Sequence, residues 1–257
     1  IGKINVYKLF RIIKYSLALI KKIIFFRPNL IYLTITPSGP AFLRDACYVF
    51  IMKLFRVKIL YHLHGKGISH SYQTGINKSI YNFVFNNSDI ILLSSKLEYD
   101  IYPLQNIKNI YFLPNGVSRL HTNFENSNSD KFRILFFANM LRNKGPKDLL
   151  VVVNELIKND KKIEVVFAGE FDDFIFKEEF KTYIKENNLS DYVRYVGAKY
   201  NEDKTKLFQQ SDLFVYPTYN DAFPLVILEA MSYGLPVIST DEGAISEIVD
   251  DNINGFI

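Results

Sequence analysis

The sequence predicts an α/β protein made of two domains, each a parallel sheet with helices on both of its faces. Apolar runs of strand length alternate with longer segments of helical period along the whole chain, a rhythm typical of βαβ units. A polar stretch between residues 118 and 130 interrupts this rhythm once. The chain has 257 residues, which is enough for two domains of ordinary size.

The chain opens with an amphipathic helix over Val6–Phe26, where Leu9, Ile12, Ile13 and Leu17 recur at helical spacing. Five Lys and Arg residues interrupt the segment, so it is too polar to span a membrane. Two interpretations stay open and are compatible: a helix packed on a sheet with a solvated basic face, or a helix lying on a membrane interface. The other elements predicted for the first domain are strands at 29–35, 57–63, 90–93 and 110–113 and helices at 41–55 and 76–85.

Residues 121–130 predict the linker between a first domain at 1–120 and a second at 131–257. Because the chain begins at Ile1 and stops just after a glycine, we expect both termini to be truncated and both domains to be incomplete. The elements predicted for the second domain are strands at 132–137, 163–168, 193–196, 213–216 and 236–239 and helices at 146–156, 175–186, 204–209 and 224–233.

Charge and cysteine content limit the environment of the protein. Residues 1–130 contain 16 Lys and Arg against 6 Asp and Glu, whereas residues 131–257 contain 15 against 21. We therefore expect the first half to meet an anionic partner, such as a membrane surface or a lipid-phosphate acceptor. Nucleic acid is not expected, because no motif for it is present. The lone Cys47 predicts a reducing compartment, and its apolar neighbours predict a buried structural position rather than a nucleophile.

In parallel sheets, ligands bind outside the carboxyl ends of the strands, so the loops that follow strands are candidate sites. The longest such loop leads through Asp221 and Pro224 into a helix that contains Glu229. Proline suits a first helical turn, whose open N–H groups attract phosphate. The two carboxylates could flank a polyol that carries a phosphate. The alternative is that Asp221 caps the helix and that Glu229 is a solvated surface residue.

A second loop, after the strand at 132–137, contains Asn139, Arg142 and Lys144 before a Gly-Pro pair. Lys144 could contact a diphosphate through the single charge of its ammonium group. Arg142 could contact it through two parallel N–H groups of its guanidinium. A solvated lysine would be the simpler explanation if this loop stood alone.

A third loop follows the strand at 57–63, where alternation places His62 and His64 on one side. Too few further ligands lie nearby to predict zinc. A histidine that donates to a sugar or an acceptor fits this position better. Patterns for a Ser-His-Asp triad, a Walker loop and an HExxH metal site are missing.

Together these segments resemble the large group 1 (family 4) of retaining GT-B glycosyltransferases, over essentially the whole chain and most densely in residues 131–257. The run from Asp221 to Glu229 is similar to the E-x7-E signature of that family, and Glu-Ala-Met and Gly-x-Pro-Val follow it as they do there. Further matching segments are residues 64–65, 114–117, 144–145, 243–249 and 254–255.

The resemblance implies two Rossmann-like domains that face a cleft, and a hexosyltransferase that uses a nucleotide sugar without a cofactor or metal. It implies that Lys144 binds the donor diphosphate, that Asp221 contacts the donor sugar and that Glu229 holds the ribose. His64 would lie near the transferred sugar, and His64 and Asp221 would be the catalytic pair. Backbone contacts to sugar and phosphate are expected from Phe223, Pro224, Leu225 and Val226.

The sequence departs from the family pattern at two positions. Asp221 stands where the family usually has Glu, and Asn139 stands where many members have an Arg that partners the lysine. We group Asn139 and Arg142 with the donor-binding residues, Arg142 as a candidate substitute for the missing cation.

The resemblance also implies a cytoplasmic enzyme, peripheral at the inner face of a membrane, that uses a lipid-linked or glycan acceptor in bacterial surface polysaccharide synthesis. The alternatives are a donor-binding or partner-binding subunit that has lost catalysis, and a sugar-nucleotide epimerase.

Overall fold

The computed structural model describes residues 6–73, 75–118, 130–158 and 162–257. They form two compact units, the first ending at Pro114 and the second beginning at Asn115. Apart from Asp130, the predicted linker at 121–130 lies outside the described residues. That boundary therefore stays a prediction, and so does the cleft expected between the domains.

The first unit contains one parallel sheet of four strands in the order β1-β2-β3-β4. Strand and helix periods predicted most of its elements to within about two residues. The short helix α3 was missed because five residues are too few for a helical period to be visible. The elements are α1 (Val6–Phe26), β1 (Leu30–Thr34), α2 (Gly39–Leu54), β2 (Lys58–Leu63), α3 (Ile68–Tyr72), α4 (Gly75–Phe85), β3 (Asp89–Leu92) and β4 (Asn109–Phe112).

Helix α1 packs on α2 through one narrow face, on which Ile23 is buried and Leu19 is half-buried. Two other stripes point away from the core. An apolar stripe is exposed at Phe10, Ile13, Leu17 and Ile24, and a basic stripe beside it is exposed at Arg11, Lys14, Lys21 and Lys22. No described helix is long and apolar enough to cross a membrane.

The prediction that Cys47 is buried is wrong, because its side chain is exposed. The apolar run around it belongs to α2, whose helical period turns Phe42, Val49 and Met52 inward and leaves position 47 facing solvent.

The second unit contains one parallel sheet of six strands in the order β10-β9-β8-β5-β6-β7. Its elements are β5 (Phe132–Phe137), α5 (Pro146–Ile157), β6 (Ile163–Ala168), α6 (Phe174–Glu186), β7 (Val193–Tyr195), α7 (Asn201–Gln209), β8 (Leu213–Tyr216), α8 (Leu225–Ser232), β9 (Val237–Ser239) and β10 (Gly255–Phe256). The prediction of parallel α/β architecture is thus confirmed.

Strand order fixes where this unit can bind a ligand. The chain runs outward from β5 to β7, then returns to place β8 on the other side of β5. Because crossovers between parallel strands are right-handed, α5 and α6 lie on one face of the sheet and α8 lies on the other. The helices that follow β5 and β8 therefore diverge, and a crevice opens at the carboxyl ends of these two strands.

A continuous apolar core stabilises the second unit. Strand β6 is buried over most of its length, as expected for an inner strand of a parallel sheet covered on both faces. Phe136, Phe167 and Phe180 are essentially inaccessible, and each buried side chain of this size contributes about 1.5–3 kcal/mol relative to exposure. The core makes the strand ends rigid supports for the loops described next.

Candidate functional site

Lys144 is placed by a tight turn at the carboxyl end of β5. A single 3₁₀ turn, Arg142–Lys144, leads into Gly145, whose φ of 76° is a left-handed conformation. Pro146 then begins α5, where its missing N–H costs nothing. A Cβ on Gly145 would lie 2.1 Å from the backbone oxygen of Pro217, so the turn is packed against the loop that follows β8. Only glycine allows this approach.

This packing brings Lys144 to the loop after β8. Its Nζ donates to Oδ2 of Asp221 at 2.7 Å and to the backbone oxygen of Asn220 at 2.8 Å. The lysine and aspartate side chains are 18% and 20% exposed, so the pair is partly desolvated yet accessible from outside. The two residues that the sequence predicted for the diphosphate and the sugar are thus in direct contact.

Asp221 is held on both of its carboxylate oxygens. Oδ2 also accepts the hydroxyl of Tyr216 at 2.7 Å, and Oδ1 accepts the backbone N–H of Ala222 at 3.0 Å. Burial, with a smaller effect of the Asp221 charge, raises the pKa of Tyr216 far above its ordinary value, so this side chain stays a neutral donor. The backbone N–H of Asp221 is in turn bound by Glu242.

Helix α8 begins beside Asp221 with an uncapped N-terminus. Pro224 is the N-cap, with an extended backbone and no side-chain hydrogen bond, so the helix starts at Leu225, one residue later than predicted. Phe223 and Pro224 are buried, whereas Leu225 is exposed and Val226 is half-buried. Amide groups of an uncapped first turn attract anions through unmade hydrogen bonds and the helix dipole. This N-terminus and the Lys144–Asp221 pair therefore lie at the same end of the crevice.

Glu229 lies farther along α8 and is bound by a residue that the sequence did not single out. Nζ of Lys204 in α7 donates to its Oε1 at 2.6 Å, and the two side chains are 28% and 30% exposed. Glu229 is therefore neither a fully solvated surface residue nor a buried unpaired acid. The lysine also lies 5.3 Å from the ring centroid of Phe137, the last residue of β5.

Arg142 does not contact the Lys144–Asp221 pair, and its donor-binding role stays a prediction. Its guanidinium forms two hydrogen bonds to the carboxylate of Glu179 in α6, at 2.6 and 2.8 Å, and lies over the ring of Phe176. The bidentate pairing lowers the pKa of Glu179. In a 3₁₀ turn, residues two apart project in different directions, so Arg142 faces α6 while Lys144 faces β8.

Asn139 lies in the same loop with an exposed side chain. Its backbone oxygen accepts the N–H of Leu141, and Met140 beside it is fully buried. The donor-binding role of Asn139 stays a prediction.

In the first unit, His64 follows β2 and is exposed, and its ring centroid lies 4.0 Å from that of the buried His62. The two histidines therefore share one side, as alternation predicted. Nδ1 of His62 shares a short hydrogen bond with the Tyr32 hydroxyl, while its Nε2 has no partner among the described residues. Burial, and to a smaller extent His64, lowers the pKa of His62, which favours a neutral ring.

Three participating side chains were missed by sequence reasoning: Tyr216, Lys204 and Glu242. Tyr216 is the last residue of β8 and lies five residues before Asp221. Its position at a strand end could have identified it as a site residue. Lys204 and Glu242 are separated from their partners by 25 and 21 residues, with no local pattern to connect them. No group of three His, Cys, Asp or Glu among the described residues could hold a metal ion.

A doubly wound sheet with a lysine and an uncapped helix at its switch point defines a class of proteins that bind anionic ligands there. The particular family follows from comparison with known proteins. Residues 118–257 match the model of Glycosyl transferases group 1, and the chain belongs to this family.

Relatives of known name agree with this assignment. The chain is 24% identical over 217 residues to the amylovoran biosynthesis glycosyltransferase AmsK of Erwinia amylovora, covering 80% of this chain and 52% of AmsK. The chain thus spans about half the length of AmsK. It spans less than half the length of several other curated relatives.

Two solved structures share the fold. A glycosyltransferase from Rickettsia africae superposes with a TM-score of 0.75 at 19% identity, over 99% of this chain and 69% of that chain. Anabaena Alr3699/HepE, solved in complex with UDP-glucose, superposes with a TM-score of 0.71 at 20% identity, over 95% of this chain and 67% of that chain. These likenesses identify the architecture as that of GT-B glycosyltransferases.

Proposed function

We propose that the protein transfers a sugar from a nucleotide sugar to a hydroxyl group and retains the anomeric configuration. The observation that carries the proposal is the contact of Lys144 with Asp221 beside the uncapped start of α8. A cation and open amide groups suit a diphosphate, and carboxylates suit sugar hydroxyls. Family membership supports the class of reaction, and the UDP-glucose complex of the similar HepE protein supports the class of donor.

In the proposed reaction, the bond between the anomeric carbon and the diphosphate breaks while the acceptor oxygen bonds to the same face of that carbon. Lys144 and the α8 amides stabilise the negative charge that develops on the leaving diphosphate. A diphosphate oxygen takes the proton of the acceptor hydroxyl, so no resident cofactor or metal is required. Asp221 orients the donor sugar, Glu229 binds the ribose, and His64 donates to the transferred sugar.

A nucleotide-sugar screen tests this function. A donor present at about 100 times its dissociation constant stabilises the folded protein by about 2.7 kcal/mol, and we expect the matching nucleotide sugar to raise the unfolding temperature by about 5–10 °C. Proton NMR of the sugar first released to water, or to an added acceptor, then reports the anomeric configuration. No stabilisation by any nucleotide sugar would contradict donor binding, and an inverted anomer would contradict retention.

We further propose that the first unit meets an anionic membrane through α1, in a cytoplasmic protein that acts on a lipid-linked or glycan acceptor for bacterial surface polysaccharide. Support comes from the exposed apolar stripe of α1 and the basic stripe beside it, a pairing typical of interfacial helices. AmsK, a similar protein, is named for amylovoran biosynthesis.

Charge reversal on α1 tests the membrane proposal. Each lysine near an anionic surface contributes about 1 kcal/mol, so Lys14→Glu combined with Lys21→Glu is expected to weaken binding to phosphatidylglycerol-containing vesicles by about 30-fold or more. Lys181→Glu with Lys185→Glu, on exposed positions of α6, changes the net charge equally and is the matched control. Vesicle sedimentation measures both variants, and equal losses in the two would contradict a role for α1.

A further inference from the structure

The Lys204–Glu229 contact leaves one oxygen of the glutamate available. Lys204 occupies Oε1, whereas Oε2 accepts no hydrogen bond from any residue within the described ranges. Both side chains are about one third exposed, so a ligand can approach the second oxygen. The pair therefore presents a partly exposed carboxylate with one oxygen engaged and the other without a hydrogen bond from the described residues.

Three contacts hold Lys204 and its helix α7 in place. Its Nζ lies over the ring of Phe137, and Phe137 packs on Phe208 of the same helix α7, with ring centroids 5.4 Å apart. The Thr205 hydroxyl forms a hydrogen bond of 3.1 Å with the hydroxyl of Tyr233, the residue directly after α8. Helix α7 is thereby attached both to the end of β5 and to the end of α8. The ammonium group is fixed relative to the strand and the helix that line the crevice.

We infer that Lys204 is a positioning residue that orients the Glu229 carboxylate so that Oε2 receives the ribose hydroxyls of the donor nucleotide. This inference rests on the proposed function, in which Glu229 binds the ribose. A free glutamate loses rotamer entropy when it binds a ligand, and a lysine that fixes it beforehand removes that cost from binding. The expected consequence is a preference for nucleotides that carry both ribose hydroxyls.

The test compares ribose and dideoxyribose in matched variants. Calorimetric titration with UDP, ADP and GDP first identifies the nucleoside diphosphate that binds most tightly. That nucleotide and its 2′,3′-dideoxy form are then titrated into the parent protein, Lys204→Met and Lys206→Met. Lys206 lies on the same helix, is exposed and has the same charge, so it is the control.

We expect Lys204→Met to weaken the ribonucleotide about 10-fold and to change the dideoxy form by less than about twofold. Lys206→Met should change neither. Lys204→Arg keeps a cation within reach of Glu229 and should retain most of the preference for the ribonucleotide. If Lys204→Met does not fold, as judged by its circular dichroism spectrum, the arginine variant carries the test.

Two outcomes would overturn the inference: unchanged ribonucleotide binding in Lys204→Met, or equal losses for both nucleotide forms. Equal losses would mean that Lys204 contacts the diphosphate or only supports the local fold. In Lys204→Arg, loss of the preference for the ribonucleotide would also overturn the inference. Failure of the proposed function gives a different result, because the parent protein would then bind none of the three nucleoside diphosphates.

Discussion

Replacing Lys144 with alanine is expected to lower the rate of sugar transfer by about 10²- to 10³-fold, the effect of removing one preorganised donor from a developing negative charge. The lysine is oriented by Asp221 and Asn220 before a ligand arrives, so its charge needs little rearrangement to stabilise the leaving diphosphate. The loss should appear in kcat as well as in donor affinity, because charge on the diphosphate grows as the bond breaks. Steady-state kinetics with the donor from the screen measures both.

Lys147→Ala is the matched control for this prediction. Lys147 lies three residues later, is exposed on α5 and carries the same charge. Its loss should change the rate by less than about twofold. Thermal unfolding of both variants separates a catalytic effect from a folding defect. A Lys144→Ala protein that folds and transfers sugar at the parent rate would exclude this lysine from the reaction.

Replacing Gly145 with alanine is expected to lower the free energy of unfolding by about 3 kcal/mol or more. Two costs combine at this position. The φ of 76° is unfavourable for a residue with a Cβ, and that Cβ would lie 2.1 Å from the Pro217 oxygen and 2.9 Å from its carbonyl carbon. Backbone on both sides would have to move, and Lys144 would move with it. Urea denaturation followed by circular dichroism measures the loss.

A matched variant at Gly197 separates the conformational cost from the steric cost. Its φ of 71° is nearly the same, but a Cβ there would meet nothing within 4 Å. Gly197→Ala should therefore cost only the conformational penalty, about 1–2 kcal/mol. Similar losses in the two variants would show that the contact with Pro217 does not constrain the Lys144 turn. A larger loss in Gly145→Ala, accompanied by weaker nucleotide binding, would show that it does.

The partners of the site are where sequence reasoning was least complete. The sequence pointed to Lys144 and Asp221 separately, as charged residues in loops that follow strands, and their contact joins positions 77 residues apart. It grouped Arg142 with Lys144 because they share one loop, yet Arg142 pairs with Glu179. It also singled out Glu229 but missed its partner Lys204. Each of these outcomes depends on which elements become neighbours in space.

The sequence by itself determined most of the elements, the parallel sheets and the positions of the functional loops. Period and apolar run length are local properties, and burial of each apolar face leaves few alternatives for strands and helices. Only the tertiary structure decided which charges meet. The chain returns after β7 to place β8 against β5, and this step brings the loop of Lys144 to that of Asp221. Ion-pair partners follow from strand order and close backbone packing, which the local pattern of residues does not encode.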